Sequence, residues 1–466
     1  MSSVRYVRSF GLVGLLSVCM ACEDATQPEA DSDASAAIDS SENDDTTATT
    51  GKDGETATTG AGKASAADAG KAPSTPIGVL DESDAATTDQ DGGTDPTTPE
   101  QDAGRASGSA PASGPAKKVS DIRIGSYYAC RLLDSGDVEC WGRTAVGVLG
   151  ALAPANGNVP TSSPVKISGL PGKAISIATG DRHACAVISG GEVYCWGSDT
   201  YGELGDDLGM NTTEPRKVAG VSGAVSVTAS GTNNTCVLLS TKKVLCWGGN
   251  SVGAVGTGEE TQASVTSPQP VIGLDGVATL HLGGSSGGSG SYVTSVAMRT
   301  DGTVWAWGSN LQNRLGLTGT SPAQSSAVPA QVPGLSAVRA FGVGTSHACA
   351  LLEDKTVTCA GANNNNLALG RPTGGQSAGW GAVPDLTNVS SLCVGDDFTC
   401  VVHDDGLASC WGNNLSKQLG TSDTTSSIKP VLVAGSGLKN AVSVSCGSAY
   451  ACAVLSDGGQ NCWGQL

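Results

Sequence analysis

One phrase recurs seven times along this chain. It reads HACAVISGGEVYCWG from His183, TCVLLSTKKVLCWG from Thr235, SVAMRTDGTVWAWG from Ser295 and HACALLEDKTVTCAG from His347, and it begins again at Ala129, Thr399 and Ala451. Its marker positions, Trp141, Trp196, Trp247, Trp307, Ala360, Trp411 and Trp463, are 55, 51, 60, 53, 51 and 52 residues apart. A period of that size belongs to architectures in which each unit buries its apolar face against its neighbours.

Within each copy, two runs that alternate apolar and polar residues flank turns such as Asp134-Ser135-Gly136, Asp404-Asp405-Gly406 and Ser456-Asp457-Gly458. That is the pattern of a β-hairpin. Glycine holds the third loop position at Gly136, Gly191, Gly302, Gly406 and Gly458, where a three-residue loop asks for a left-handed residue. Upstream, a strand-like run ends in glycine, as at Gly180, Gly344 and Gly447, and a looser segment pairs proline with valine, as at Pro164-Val165, Pro270-Val271 and Pro430-Val431. Four short strands per unit make one propeller blade, and rings of ~4–8 blades are usual. The expected fold is therefore all-β: a seven-bladed β-propeller of about four-stranded antiparallel blades over residues 119–466. The last copy stops at Leu466, just after its third strand, so a segment between about Ala106 and Ser120 is expected to supply the missing fourth strand.

The phrase G-x-x-H-x-C-A-L, the D-G turn, V-x-C-W-G and a following leucine-glycine (Leu204-Gly205, Leu315-Gly316, Leu419-Gly420) resemble the regulator of chromosome condensation repeat family across the whole of 119–466. The resemblance implies a ring that displays loops to a protein partner. Similar rings include a nucleotide exchange factor for a small nuclear GTPase and a secreted bacterial inhibitor of β-lactamase. Fold alone does not carry function across.

Twelve of the sixteen cysteines form pairs ten positions apart: Cys130 with Cys140, Cys185 with Cys195, Cys236 with Cys246, Cys349 with Cys359, Cys400 with Cys410, and Cys452 with Cys462. The fourth copy lacks both, carrying Val296 and Ala306. Around a three-residue loop these positions face each other across the hairpin, at a separation a disulfide accepts. Zinc is the rival, but one pair per blade gives two ligands where four are needed. Cys393 and Cys446, on first strands of neighbouring blades and one position out of register, could pair or stay buried thiols. Where tryptophan follows the second cysteine it points to the opposite sheet face, towards packing between blades.

The N-terminus carries Arg5 and Arg8, an apolar run from Phe10 to Met20, and Ala21-Cys22 before Glu23 and Asp24. This describes a signal peptide, with a run shorter than the ~20 residues of a membrane span. Cysteine after Ala21 resembles bacterial lipoprotein signals, with Cys19 standing where such signals usually carry leucine. The expectation is a signal over 1–21, lipidation of Cys22 and a cell-envelope location, with ordinary secretion as the alternative. Residues 22–118 are expected to be a disordered acidic tether: Glu23 to Lys118 holds 20 Asp plus Glu against 6 Lys plus Arg and no aromatic residue. As a flexible coil this stretch would span roughly 50–60 Å.

The ring itself carries 24 acidic and 18 basic residues, with no basic patch to recruit nucleic acid. Of four histidines, His183 and His347 share one repeat position, taken elsewhere by Tyr128, Asn234, Phe398 and Tyr450, which reads as structural. His281 and His403 have no nucleophile or ligand set beside them in sequence. Acidic turn residues recur for turn geometry. No catalytic residues, metal or cofactor are expected, and the ring is expected to be a monomer.

The glycine-rich stretch from Gly283 to Gly290 lacks the lysine and Ser/Thr of a phosphate loop. As the largest irregularity in the ring it is a candidate partner-contact loop, with Gly283, Ser285, Ser286 and Ser289 its contact residues. The expected function is an exported, lipid-anchored protein-binding module whose partner is an unidentified protein. The alternatives are an envelope polysaccharide hydrolase or lyase, which would need acidic or histidine side chains converging on the central channel, and a structural surface protein.

Overall fold

A computed structural model describes residues 117–466 except 144, 152–160, 261–263, 285–292, 316–324, 364–366, 374–376 and 435–437. It is a seven-bladed propeller of antiparallel blades. Blade 1 runs from the axis outward through Val119–Ile124, Tyr128–Leu133, Val138–Gly142 and Thr161–Lys166. Blades 2 to 6 repeat that order over 174–217, 224–270, 277–331, 338–382 and 389–432, each with four strands. Blade 7 has three among the described residues, Ala441–Cys446, Tyr450–Leu455 and Gln460–Gly464.

The hairpin at the centre of each blade follows from its loop. In blade 1 the Leu133 N–H donates to Asp137 O and the Gly136 N–H to Leu133 O, leaving three loop residues with Gly136 at φ +82°. The two copies without glycine, at Lys242 and Lys355, adopt the same conformation at φ +62° and +65°. The loop sets the register, so Cys130 stands opposite Cys140, and Val296 opposite Ala306 in the blade that lacks the pair. Every first strand carries a bulge near its start, as between Val119 and Asp121. Bulges increase local twist.

Among the described residues the core is divided between blades. Apolar clusters form at the joints between blades, such as Val187, Leu204, Val227 and Trp247 between blades 2 and 3. Six of the seven marker positions are tryptophan, and each of five donates its indole N–H backward to a backbone carbonyl in the loop of the preceding blade. Trp196 reaches Val148 O, Trp247 reaches Glu203 O, Trp307 reaches Ala254 O, Trp411 reaches Ala368 O and Trp463 reaches Gln418 O, all at 2.8–2.9 Å. The leucine-glycine that follows in sequence is the other half of this clamp. A Cβ on Gly205, already at φ +69°, would stand 2.7 Å from Trp247 Nε1. At the fifth marker, Ala360, Trp380 from the outer strand substitutes: its Nε1 donates to Leu315 O at 3.2 Å and its ring meets Phe341 edge-on.

The ring closes where Val119 N–H donates to Gly458 O at 2.9 Å, as Ala174 does to Gly136 O and Ala441 to Gly406 O in their blades. Val119 and Ser120 thus belong to blade 1. Of the segment between about Ala106 and Ser120 from which the seventh blade's fourth strand is expected, residues 106–116 lie outside the described residues, as do Cys22 and the tether up to residue 116; Lys117 and Lys118 are described, Lys118 O accepting the Asp134 N–H of blade 1.

Candidate interaction face

Because the strands are antiparallel, the loops joining first to second and third to fourth strands leave every blade at one end, and the hairpin turns at the other. The loop end is built around a recurring Asp or Asn two residues after the Trp-Gly pair. In blade 6, Asn414 Oδ1 accepts the Leu419 N–H at 2.9 Å while its Nδ2 donates to Asp423 O. Asn250 and Asn310 do the same for Val255 and Leu315. Each fold-back buries a leucine or valine beside the clamp.

Blade 2 takes this furthest. Asp199 Oδ1 accepts Leu204 N–H at 3.0 Å and Oδ2 accepts Met210 N–H at 3.1 Å, so one carboxylate ties both ends of the loop. Glu203 accepts from the Tyr201 N–H at 2.6 Å and the Ser198 hydroxyl at 3.0 Å. Asp206 is paired with Arg216 at 3.1 Å. Burial holds the Asp199 carboxyl above its ordinary pKa, helped by the neighbouring charge of Asp206, and burial does the same to Glu203. With Asp199 and Glu203 turned inward, the loop presents Tyr201, Leu208 and Met210 to solvent at 47%, 55% and 57% exposure. On the same end stand Tyr127, with the Arg143 guanidinium 5.2 Å from its ring centre, and Leu415 in blade 6. Sequence reasoning passed over these residues. Their signal is an Asp after Trp-Gly followed by apolar residues spaced through a short loop.

Gly283 ends the first strand of blade 4 and is buried, where a Cβ would overlap Val343 O of blade 5. Ser285, Ser286 and Ser289 lie outside the described residues.

The histidines sit where the repeat puts them. The Thr235 hydroxyl donates to Glu203 O at 3.0 Å, which leaves its oxygen to accept from His183 Nε2–H at 2.8 Å. His347 stands 2.8 Å from Thr399 Oγ1 in the same way. Burial lowers His183 to about 4 and His347 to about 3, the latter with help from Arg314. His403 does have a hydroxyl beside it: Nδ1 faces Thr387 O at 3.2 Å and Nε2 lies 2.9 Å from Ser409 Oγ. Ser409 is buried in its strand, away from any approaching substrate.

All seven first strands line a central channel of about 550 Å³. Arg123, His281 and Asp396 come from three different blades. His281 is lowered to about 4 by burial and the Arg123 charge.

The six hairpin cysteine pairs all stand at bonding distance, with Cα atoms 4.0–4.1 Å apart. Cys393 and Cys446 also pair, Cα to Cα 5.5 Å, across blades 6 and 7.

Models of the regulator of chromosome condensation repeat match residues 135–187, 190–238, 301–351 and 405–454, and a second form of the repeat matches 174–203, 225–254 and 389–418. The chain belongs to the regulator of chromosome condensation repeat family. It is 28% identical over 367 residues to the ultraviolet-B receptor UVR8 of Arabidopsis thaliana, covering 75% of this chain and 78% of that protein. It is 29% identical over 305 residues to the probable E3 ubiquitin-protein ligase HERC6 of Homo sapiens, covering 63% of this chain but only 29% of that one. Against HERC2 of Homo sapiens the match spans 6% of the longer protein. Prp20p of Saccharomyces cerevisiae, whose structure was described with its binding to Gsp1p and histones, superposes at a TM-score of 0.61 with 20% identity, covering 74% of this chain and 82% of that one. Human WBSCR16 gives the same score over 72% and 86%.

Proposed function

We propose that this repeat ring is a protein-binding module, exported and held at the cell envelope by a lipid on Cys22, with residues 22–118 as the tether. The observation that carries the binding reading is the blade-2 loop, in which buried carboxylates fix a short backbone so that Tyr201, Leu208 and Met210 face solvent. Large apolar side chains on a preorganised loop give contact area without the entropic cost of ordering it at binding. Prp20p, which has the same fold, was described with its binding to Gsp1p and histones, which supports a protein-binding reading. In this reading the glycine-rich stretch of blade 4, with Gly283, Ser285, Ser286 and Ser289, is also a partner contact.

The test is affinity capture by the full chain beside a variant carrying Tyr201→Asp, Leu208→Asp and Met210→Asp. A saturable protein partner held by the first and lost by the second supports the reading. A partner retained equally by both, or capture of glycan alone, overturns it. Anchoring has its own readout: a fatty-acid label incorporated by the native chain and absent from Cys22→Ser, with the variant released to the soluble fraction.

A further inference from the structure

Six of the seven disulfides among the described residues close hairpins within one blade, and in blades 1, 2, 3, 5 and 6 both cysteines of the pair are buried. The seventh is different in three respects. Cys393 and Cys446 both lie on first strands, where they form part of the channel wall. Both are partly exposed. Their bond joins two blades, 53 residues apart in sequence, and one of these is blade 7, which has three strands among the described residues. A third sulfur stands beside them: Cys400, opposite Cys393 in register and bonded to Cys410, lies with the other two in a group whose sulfurs are within 4.8 Å of one another.

We propose that Cys393–Cys446 is a thiol-exchange site, reached through the central channel by small soluble thiols, whose oxidised state latches blade 7 to blade 6. Exchange proceeds by attack of a thiolate on a disulfide sulfur, and access decides which bond is attacked. A small thiolate entering the channel attacks one sulfur of the pair, forming a mixed disulfide and expelling the other cysteine as a thiolate, which takes up a proton. A second small thiol resolves the mixed disulfide. In sum, two small thiols become one small disulfide, and Cys393 and Cys446 become thiols. A channel of about 550 Å³ admits such molecules but not a folded oxidoreductase.

The pair also has an internal outlet. A Cys393 thiolate faces Cys400, and its attack there would form Cys393–Cys400 and release Cys410 as the thiolate, with no outside oxidant.

Blade 7 should register the change. With the latch open, its first strand is held to blade 6 by packing and bonds such as Val444 N–H to Ser391 Oγ at 3.3 Å. The seventh-blade hairpin bond, Cys452–Cys462, is the competitor for reagent, since Cys462 is partly exposed at the outer edge.

The experiment titrates the full oxidised chain with dithiothreitol, traps free thiols by alkylation, maps them by peptide mass spectrometry and follows amide hydrogen exchange in the same samples. The expected result is labelling of Cys446 together with Cys393, or with Cys410 in place of Cys393 where the bond migrates, at reductant levels that leave the hairpin pairs of blades 1, 2, 3 and 5 intact. Exchange over 441–464 should then rise about tenfold while blade 3 stays protected. The Cys393→Ser, Cys446→Ser double variant should show fast exchange in blade 7 without reductant. Labelling of Cys393 and Cys446 together with or after the hairpin pairs, prior labelling of Cys452 and Cys462, or early labelling with unchanged exchange in blade 7 would each overturn the proposal.

Discussion

Blade 3 and blade 7 carry the same hairpin and the same clamp, and they differ in what covers them. Trp247 and Trp463 each donate to a carbonyl of the preceding blade, at 2.8 and 2.9 Å. Trp247 is fully buried in the apolar cluster between blades 2 and 3, whereas every residue of the Gln460–Gly464 strand is partly exposed. The third strand reads VLCWG in blade 3 and QNCWG in blade 7. Gln460 replaces the valine because its neighbour is polar: its Oε1 accepts from Arg131 at 3.1 Å, and Arg131 is paired with the buried Glu139 at 2.5 Å. Six joints of the ring are thus sealed mainly by apolar packing, and the closing joint adds a charged network. The hydrogen bond of the clamp is common to both blades; they differ in the burial of the tryptophan and in the fourth strand that blade 7 lacks among the described residues.

That difference gives the largest predicted effect. Trp247→Ala should destabilise the ring by about 3–5 kcal/mol, the cost of emptying a buried tryptophan site, and Trp463→Ala by about half as much, measured by denaturant unfolding with blade-resolved hydrogen exchange. Equal costs would mean that the clamp bond, not burial, carries the energy. Next is deletion of 106–116, which should lower the thermal midpoint by several degrees and speed exchange over 460–464 if that segment covers the open edge. An unchanged midpoint would leave blade 7 three-stranded.

A smaller effect separates blades by pH. His183 and His347 are lowered to about 4 and about 3 by burial, from an ordinary 6.5. Below pH 6.5 the unfolded chain binds protons that the folded ring does not, so stability falls as pH falls, down to those folded values. Each histidine contributes about 1 kcal/mol of loss by pH 5.5. Replacing both with asparagine, the residue blade 3 uses at Asn234, should flatten that slope. The smallest effect tests the hairpin loops. Lys242→Gly and Lys355→Gly relieve left-handed side-chain strain and should each stabilise by about 0.5 kcal/mol, whereas glycine at Asp301, outside that loop position, should not.

The fold was legible because it is local and repeated. Turn, register and cysteine opposition all lie within fifteen residues of each other, and tryptophan's direction follows from its place after cysteine. The seven copies could be counted without any knowledge of how they touch. What could not be read depends on contacts between copies. Nothing near Ala360 announces that Trp380 fills its place. The pairing of Cys393 with Cys446 rests on the stagger of two neighbouring first strands, which pattern alone left open. The same limit applied to the contact surface: insertion length drew attention to the loop after Gly283, while the exposure of Leu208 and Met210 depends on Asp199 folding beneath them. A buried hydroxyl beside His403 was likewise invisible until Ser409, six positions away across a hairpin, was placed in register.

The central claim is that the loop end of the ring, and not the hairpin-turn end, meets a protein. Site-specific photo-crosslinking in the producing cell tests it most directly, with the reactive residue at Leu208 in one strain and at Thr241, in a hairpin turn of blade 3, in another. The account predicts a discrete protein adduct from position 208 and none from 241. An adduct from 241 alone, the same adducts from both, or none from either would contradict it.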